Sequence, residues 1–124
     1  MALHHELPIY KVAYDLLGLV TNARRNMPRD VKQDLGKAIS KECVQIVVLI
    51  FRSNVAQDKA PYLISLIERV EVVNLLLRLS RDLRFIPTKQ YAAAIALTAS
   101  IGKQANGWRK HSATHAPAAP GSRP

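Results

Sequence analysis

The sequence predicts an all-α chain, folded as an up-down-up-down four-helix bundle that then associates with copies of itself. Three observations predict this. Apolar residues recur at three- and four-residue steps along four long segments. Proline and turn residues separate those segments by short links. Two of the segments are apolar on more than one face. At 124 residues the chain is one domain, and with 48% apolar residues it can bury a core rather than stay disordered.

The first segment runs from about Pro8 to Met27. Proline suits a first helical turn, where its missing N–H has no partner to lose. Ile9, Val12, Ala13, Leu16, Val20, Ala23 and Met27 form its stripe, and Pro28 stops it. The second runs from about Asp30, a natural N-cap, to Ala56, with Val31, Leu35, Ile39, Cys43, Ile46 and Ile50 as its stripe. Its β-branched stretch from Cys43 to Phe51 could suit a strand. No turn residue bounds that stretch on its N-terminal side, however, and the helical period continues through it. The third begins near Asp58 and Pro61, ends near Phe85, and turns Leu63, Leu66, Ile67, Val70, Val73 and Leu77 inward. The fourth runs from Pro87–Thr88 to near Lys110, with Ala94, Leu97, Ile101, Ala105 and Trp108 as its stripe. Ala92, Ala93, Ala94, Ala96 and Ala99 keep it thin, so that a neighbouring backbone can approach. The expected organisation is an N-terminal extension over 1–7, a bundle over 8–110 and a flexible Ala/Pro-rich tail over 111–124.

Helices two and three carry too much apolar surface for one small bundle. Helix two adds Val44, Val47, Val48, Phe51 and Val55 to its first stripe; helix three adds Val72, Leu75, Leu76, Leu79 and Leu83; helix one adds Tyr10, Tyr14 and Leu17. Apolar surface left outside a core marks contacts, so Tyr14, Val48, Phe51, Leu75, Leu76 and Leu79 are the expected faces of a homo-oligomer.

Charge points to the partners. Eighteen Lys and Arg against nine acids give a formal +9, a footprint for polyanions. In an up-down bundle the first and third links share one end. That end gathers Arg24, Arg25, Arg29 and Lys32 with Arg81, Arg84 and Lys89, opposed by Asp30 and Asp82. Arg78, Arg81 and Arg84, three residues apart, form a ridge toward it. The opposite end holds Arg52, Lys59, Arg109 and Lys110 against Glu6 and Asp58. Such surfaces read phosphate rather than base sequence, and their affinity falls steeply with salt.

No constellation calls for catalysis, a cofactor or a metal. Cys43 is single and sits in an apolar run, which fits an inert core thiol in a reducing compartment. His111 and His115 are four apart but border a proline-containing tail. Glu68 and Glu71 read as solvated charges on either side of Arg69. There is no phosphate-binding glycine loop and no nucleophile elbow. Gly102 suits close helix packing, Gly107 a helix cap, and Trp108 an indole locking the bundle end. The longest apolar run, Ile46 to Phe51, is too short for a membrane span, and no signal peptide is legible. These features place the chain in the cytoplasm.

Several short motifs, in order, carry a family resemblance: Tyr10-Lys11 with Tyr14, Met27-Pro28-Arg29, Asp34-Leu35-Gly36, Leu76-Leu77-Arg78-Leu79, Ile101-Gly102-Lys103-Gln104 and Gly107-Trp108. Over about Leu7 to Lys110 the chain resembles the four-helix-bundle family that includes proteins encoded in intervening sequences of 23S ribosomal RNA genes. Within it, the chain resembles the Avd-type accessory proteins of bacteriophage diversity-generating retroelements. The resemblance implies a pentameric barrel of four-helix protomers in the cytoplasm of a bacterial host. It also implies association with the element's reverse transcriptase and with nucleic acid, template RNA and cDNA, in mutagenic retrohoming. Arg24, Arg25, Arg29, Arg78, Arg81 and Arg84 would then be contact residues. The residues alone leave open a structural oligomer whose charge serves an acidic protein partner.

Overall fold

In the computed structural model, which describes residues 7–115, every regular element is a helix. α1 spans Pro8–Arg25. α2 is one rod in three parts: a first turn at Arg29–Val31, a π-helical segment at Lys32–Gly36 and an α-helical stretch at Lys37–Val55. α3 spans Ala60–Asp82 and α4 spans Thr88–His115. Each helix packs on the next, and α4 packs back on α1, closing a four-membered bundle. Links this short force consecutive helices to run antiparallel.

The core is the meeting of the four stripes. Leu16, Ile46, Ile50, Leu63, Leu66, Leu77 and Ile101 are its largest fully buried apolar side chains, each contributing about 1.5–3 kcal/mol by leaving water. The stretch from Cys43 to Phe51 is helical, as its continuing period requires. The core also takes up polar groups. Thr98, buried between helices, donates its hydroxyl to Asn74 Oδ1 at 2.6 Å, which ties α4 to α3. Arg69 donates to both carboxylate oxygens of Glu42 at 3.0 Å, which ties α3 to α2. That bond gives Arg69 a partner on another helix rather than on Glu68 or Glu71.

Helix ends depart from expectation where local chemistry decides them. Pro28, extended at ψ 152°, is the residue that enters α2; Asp30 lies inside the first turn and makes no capping bond. Its carboxylate there complements the helix dipole instead. Lys59 closes the other end of α2: its ammonium donates to the carbonyls of Ser53, Asn54 and Ala56 at 2.8, 3.1 and 2.9 Å. It also lies 5.9 Å from the centre of the Trp108 ring, and that indole packs against the core, partly buried. α4 continues through His111 to His115, because no proline interrupts the chain between Pro87 and Pro117. Residues 111–115 of the expected tail are thus helical; 116–124 and 1–6 lie outside the described residues. Gly107 is interior to α4 and caps nothing, and neither it nor Gly102 has a neighbour within 4 Å of where a Cβ would sit.

α3 ends in a two-bond cap. Phe85 N–H donates to Ser80 O at 2.8 Å, and Arg84 N–H donates to Arg81 O at 2.9 Å. Between them the backbone must turn left-handed, the geometry glycine adopts freely. The residue there is Arg84, at φ 63°, the one non-glycine residue with positive φ among those described. A side chain in that conformation costs about 1 kcal/mol.

Candidate nucleic-acid interface

The first and third links meet at one end of the bundle. A cleft of about 440 Å³ there is lined by Asn26 of the first link and by Arg81, Arg84, Phe85, Pro87 and Thr88 around the third. Beneath it, Ala23, Arg24, Met27 and Gly36 converge with Leu77 and Ile86. Of the seven bases expected at this end, Arg81 and Arg84 line the cleft, Arg24 meets Lys32, and Arg25, Arg29 and Lys89 lie in or beside the two links. Three acids accompany them, Asp30, Asp34 and Asp82. Asp34 joins them from inside α2, in the same π-helical segment as Lys32.

These bases are not equivalent. Arg25, Arg29, Arg84 and Lys89 are exposed, and so is Arg78 farther along α3. Arg24 is half-buried: its Nε donates to the carbonyl of Lys32 at 3.0 Å. The π-helical segment begins at that residue, whose carbonyl also accepts the Lys37 N–H, so its two lone pairs serve the helix and Arg24 together. Gly36 makes the room, since a Cβ there would stand 2.7 Å from Arg24 Cγ. Arg24 is therefore first a brace between α1 and α2. Lys32 is half-buried beside it.

Arg81 is held on two sides. Its Nε and Nη2 donate to Asp82 Oδ1 at 3.1 and 2.8 Å, and its guanidinium lies 4.5 Å over the Tyr91 ring of α4. The hydrogen bond to Asp82 raises its pKa further above the ordinary arginine value, so it stays charged at every pH of interest. The ridge expected from Arg78, Arg81 and Arg84 stops at Arg81. α3 ends at Asp82 and the left-handed turn carries Arg84 off the helix surface. Arg78 instead borders a separate recess of about 380 Å³ with Glu71, Asn74 and Tyr91.

The expected oligomer faces divide in the same way. Tyr14, Phe51, Leu75 and Leu79 are exposed, as are Val44 and Val55 on α2 and Leu83 at the end of α3. Val48 and Leu76 are only half-buried, and Leu76 packs against the core, which leaves it less to offer a second copy. Ile64, exposed on α3, extends the row of Leu75, Leu79 and Leu83 but escaped the sequence reading because Glu68 interrupts it. Of the α4 alanines, Ala94 is buried against the bundle, whereas Ala92, Ala93, Ala96 and Ala99 face outward. Within the protomer, no neighbouring helix covers these four.

The remaining chemistry is spare. Cys43 is buried and free, and burial, with the neighbouring Glu42 charge, pushes its thiol up to about 12. Among the described residues no cluster of His, Cys, Asp and Glu is arranged to hold a metal ion. No helix among them is long and apolar enough to cross a membrane. A family model described as bAvd-like matches residues 8–112, in agreement with the resemblance carried by the sequence motifs. Comparison with curated proteins and with solved structures gives no match.

Proposed function

The chain belongs to the bAvd-like family, and from that premise we propose that it is a non-catalytic accessory protein of reverse transcription in a diversity-generating retroelement. On this reading it binds the element's reverse transcriptase and gathers template RNA and cDNA against its basic end, in the cytoplasm of a bacterial host. It acts by electrostatic positioning and by raising local concentration, not by bond chemistry. The observation that carries the reading is the meeting of the two base-rich links at one cleft, with Asn26 of the first link and Arg81 and Arg84 beside the third on its wall.

Self-association belongs to the same reading. The exposed apolar rows lie on two different helices, Val44, Phe51 and Val55 on α2 and Ile64, Leu75 and Leu79 on α3. A row on one copy meeting the unlike row on the next is a head-to-tail contact, which closes into a ring when the rotation allows. Five copies, the number the family resemblance implies, would bring five cationic ends into one assembly.

The test is charge reversal at Arg25, Arg29 and Arg84, exposed residues whose loss leaves the core untouched. Co-precipitation with the reverse transcriptase and binding of template RNA are measured side by side with the unaltered chain. Loss of RNA binding supports the reading. RNA binding at full strength and with unaltered salt dependence overturns the assignment of this end. Retention of an acidic protein partner with no RNA binding in either protein favours a protein scaffold instead.

A further inference from the structure

Arg84 occupies the position where the cap of α3 asks for glycine. Its side chain gives the fold nothing visible in return. Arg84 is exposed, and its guanidinium has no ion pair or hydrogen bond among the described residues. A strained arginine persists where something outside the fold uses it.

The surroundings say what that is. Arg84 and Arg81 line the same cleft, about 440 Å³, with Asn26 and Thr88 on its wall. Arg81 is fixed there by Tyr91 and Asp82, and its two bonds to Asp82 use Nε and Nη2. Asp82, the acid beside Arg81, is occupied by that pairing. The cleft thus presents one immobilised guanidinium and one uncommitted guanidinium. The second is thrown off the helix surface by a left-handed turn that no residue within α3 could reproduce. Guanidinium forks match phosphate oxygens.

The geometry points to the α3–α4 cleft as a clasp for one backbone phosphodiester of a nucleic-acid strand, with Arg84 gripping the phosphate and Arg81 forming the rigid wall. This deepens the nucleic-acid reading and rests on it. It assigns a distinct place to one residue in what would otherwise be a diffuse basic rim.

The experiment compares Arg84→Gly, Arg84→Asn and Arg84→Lys in the full chain, with Arg25→Gln as the control for loss of charge alone. Thermal unfolding is read beside fluorescence-anisotropy binding of a labelled single-stranded RNA across stepped salt. Arg84→Gly raises the unfolding midpoint while weakening RNA binding about tenfold and lowering the salt slope by about one. Arg84→Asn, which tolerates the left-handed turn, loses binding in the same way. Arg84→Lys keeps the slope but loses affinity, because an ammonium cannot fork. Arg25→Gln loses several-fold less than Arg84→Gly. Wild-type affinity and slope in Arg84→Gly would overturn the clasp and leave RNA binding by the rim intact. So would a fall in its unfolding midpoint, which would show that the arginine supports the fold. Absence of RNA binding by the unaltered chain would defeat the proposed function, and the clasp with it.

Discussion

Replacing Leu75 and Leu79 together by glutamine tests whether the outer row of α3 joins one copy to another. Glutamine adds no charge, so the electrostatics of association stay as they are. Leu75 is 66% and Leu79 is 44% exposed in the protomer. Full burial of a leucine is worth about 1.5–3 kcal/mol, so covering the exposed fractions of this pair contributes roughly 1.7–3.3 kcal/mol per contact. At about 1.4 kcal/mol per factor of ten, the double substitution weakens each contact roughly 15- to 200-fold. Both side chains point away from the core, so the protomer's own stability changes by about 0.5 kcal/mol per site or less. Sedimentation velocity across a concentration series reads the assembly, and circular dichroism reads the fold. The reasoning requires the unaltered chain to sediment as a multimer and the variant to dissociate at higher concentration while keeping its helicity. An unchanged mass distribution in the variant would refute it, as would an unaltered chain that sediments as a single protomer.

Other positions give independent tests. Lys59→Met keeps the apolar stem but abandons three carbonyls at the end of α2; chemical denaturation should show a loss of about 1–3 kcal/mol. Gly36→Ala gains helix propensity of about 1 kcal/mol but pushes Arg24 off the Lys32 carbonyl. Global stability should therefore change little, while amide exchange accelerates in the Lys32–Gly36 segment; protection equal to that of the unaltered chain would contradict the brace. Ile46→Ala, at a fully buried site, should cost about 2–5 kcal/mol in denaturant titration. The Cys43 thiol, raised to about 12, should resist thiol reagents at neutral pH until the chain unfolds. Its folded-state pKa lies above the unfolded value, so the stability linked to keeping it neutral is whole below about pH 8.5. That stability fades as pH rises toward the folded pKa, and the alkaline loss should be smaller in Cys43→Ala.

What could be read from sequence followed from repetition. Ile9, Ala13, Leu16, Val20 and Ala23 announce α1 because the core needs the same face at every turn, and the core residues of α2 and α3 do so equally. Such stripes also fix the short links, and the links bring the bases to one end. What escaped was tertiary and singular. The π-helical segment depends on an arginine of α1 reaching a carbonyl of α2 past Gly36, and no periodicity records that. Arg84 looked like the next step of a helical ridge because its spacing from Arg81 is regular; only the cap shows that the helix has already ended. The outward alanines of α4 share their composition with the buried Ala94 and Ala105, and only packing against the other helices tells them apart. Lys59 read as one more surface cation until the end of α2 closed around it.

The most direct measurement is a titration of the full chain with single-stranded RNA at salt concentrations stepped from about 50 to 200 mM. Four bases are exposed at the joined links, Arg25, Arg29, Arg84 and Lys89. At about 0.7 per phosphate contact they imply a logarithmic salt slope of about −3 or steeper. Binding that weakens along such a slope, and that flattens when those four residues are neutralised, is the expected result. Binding that ignores salt, or a slope unchanged by their neutralisation, would contradict the account.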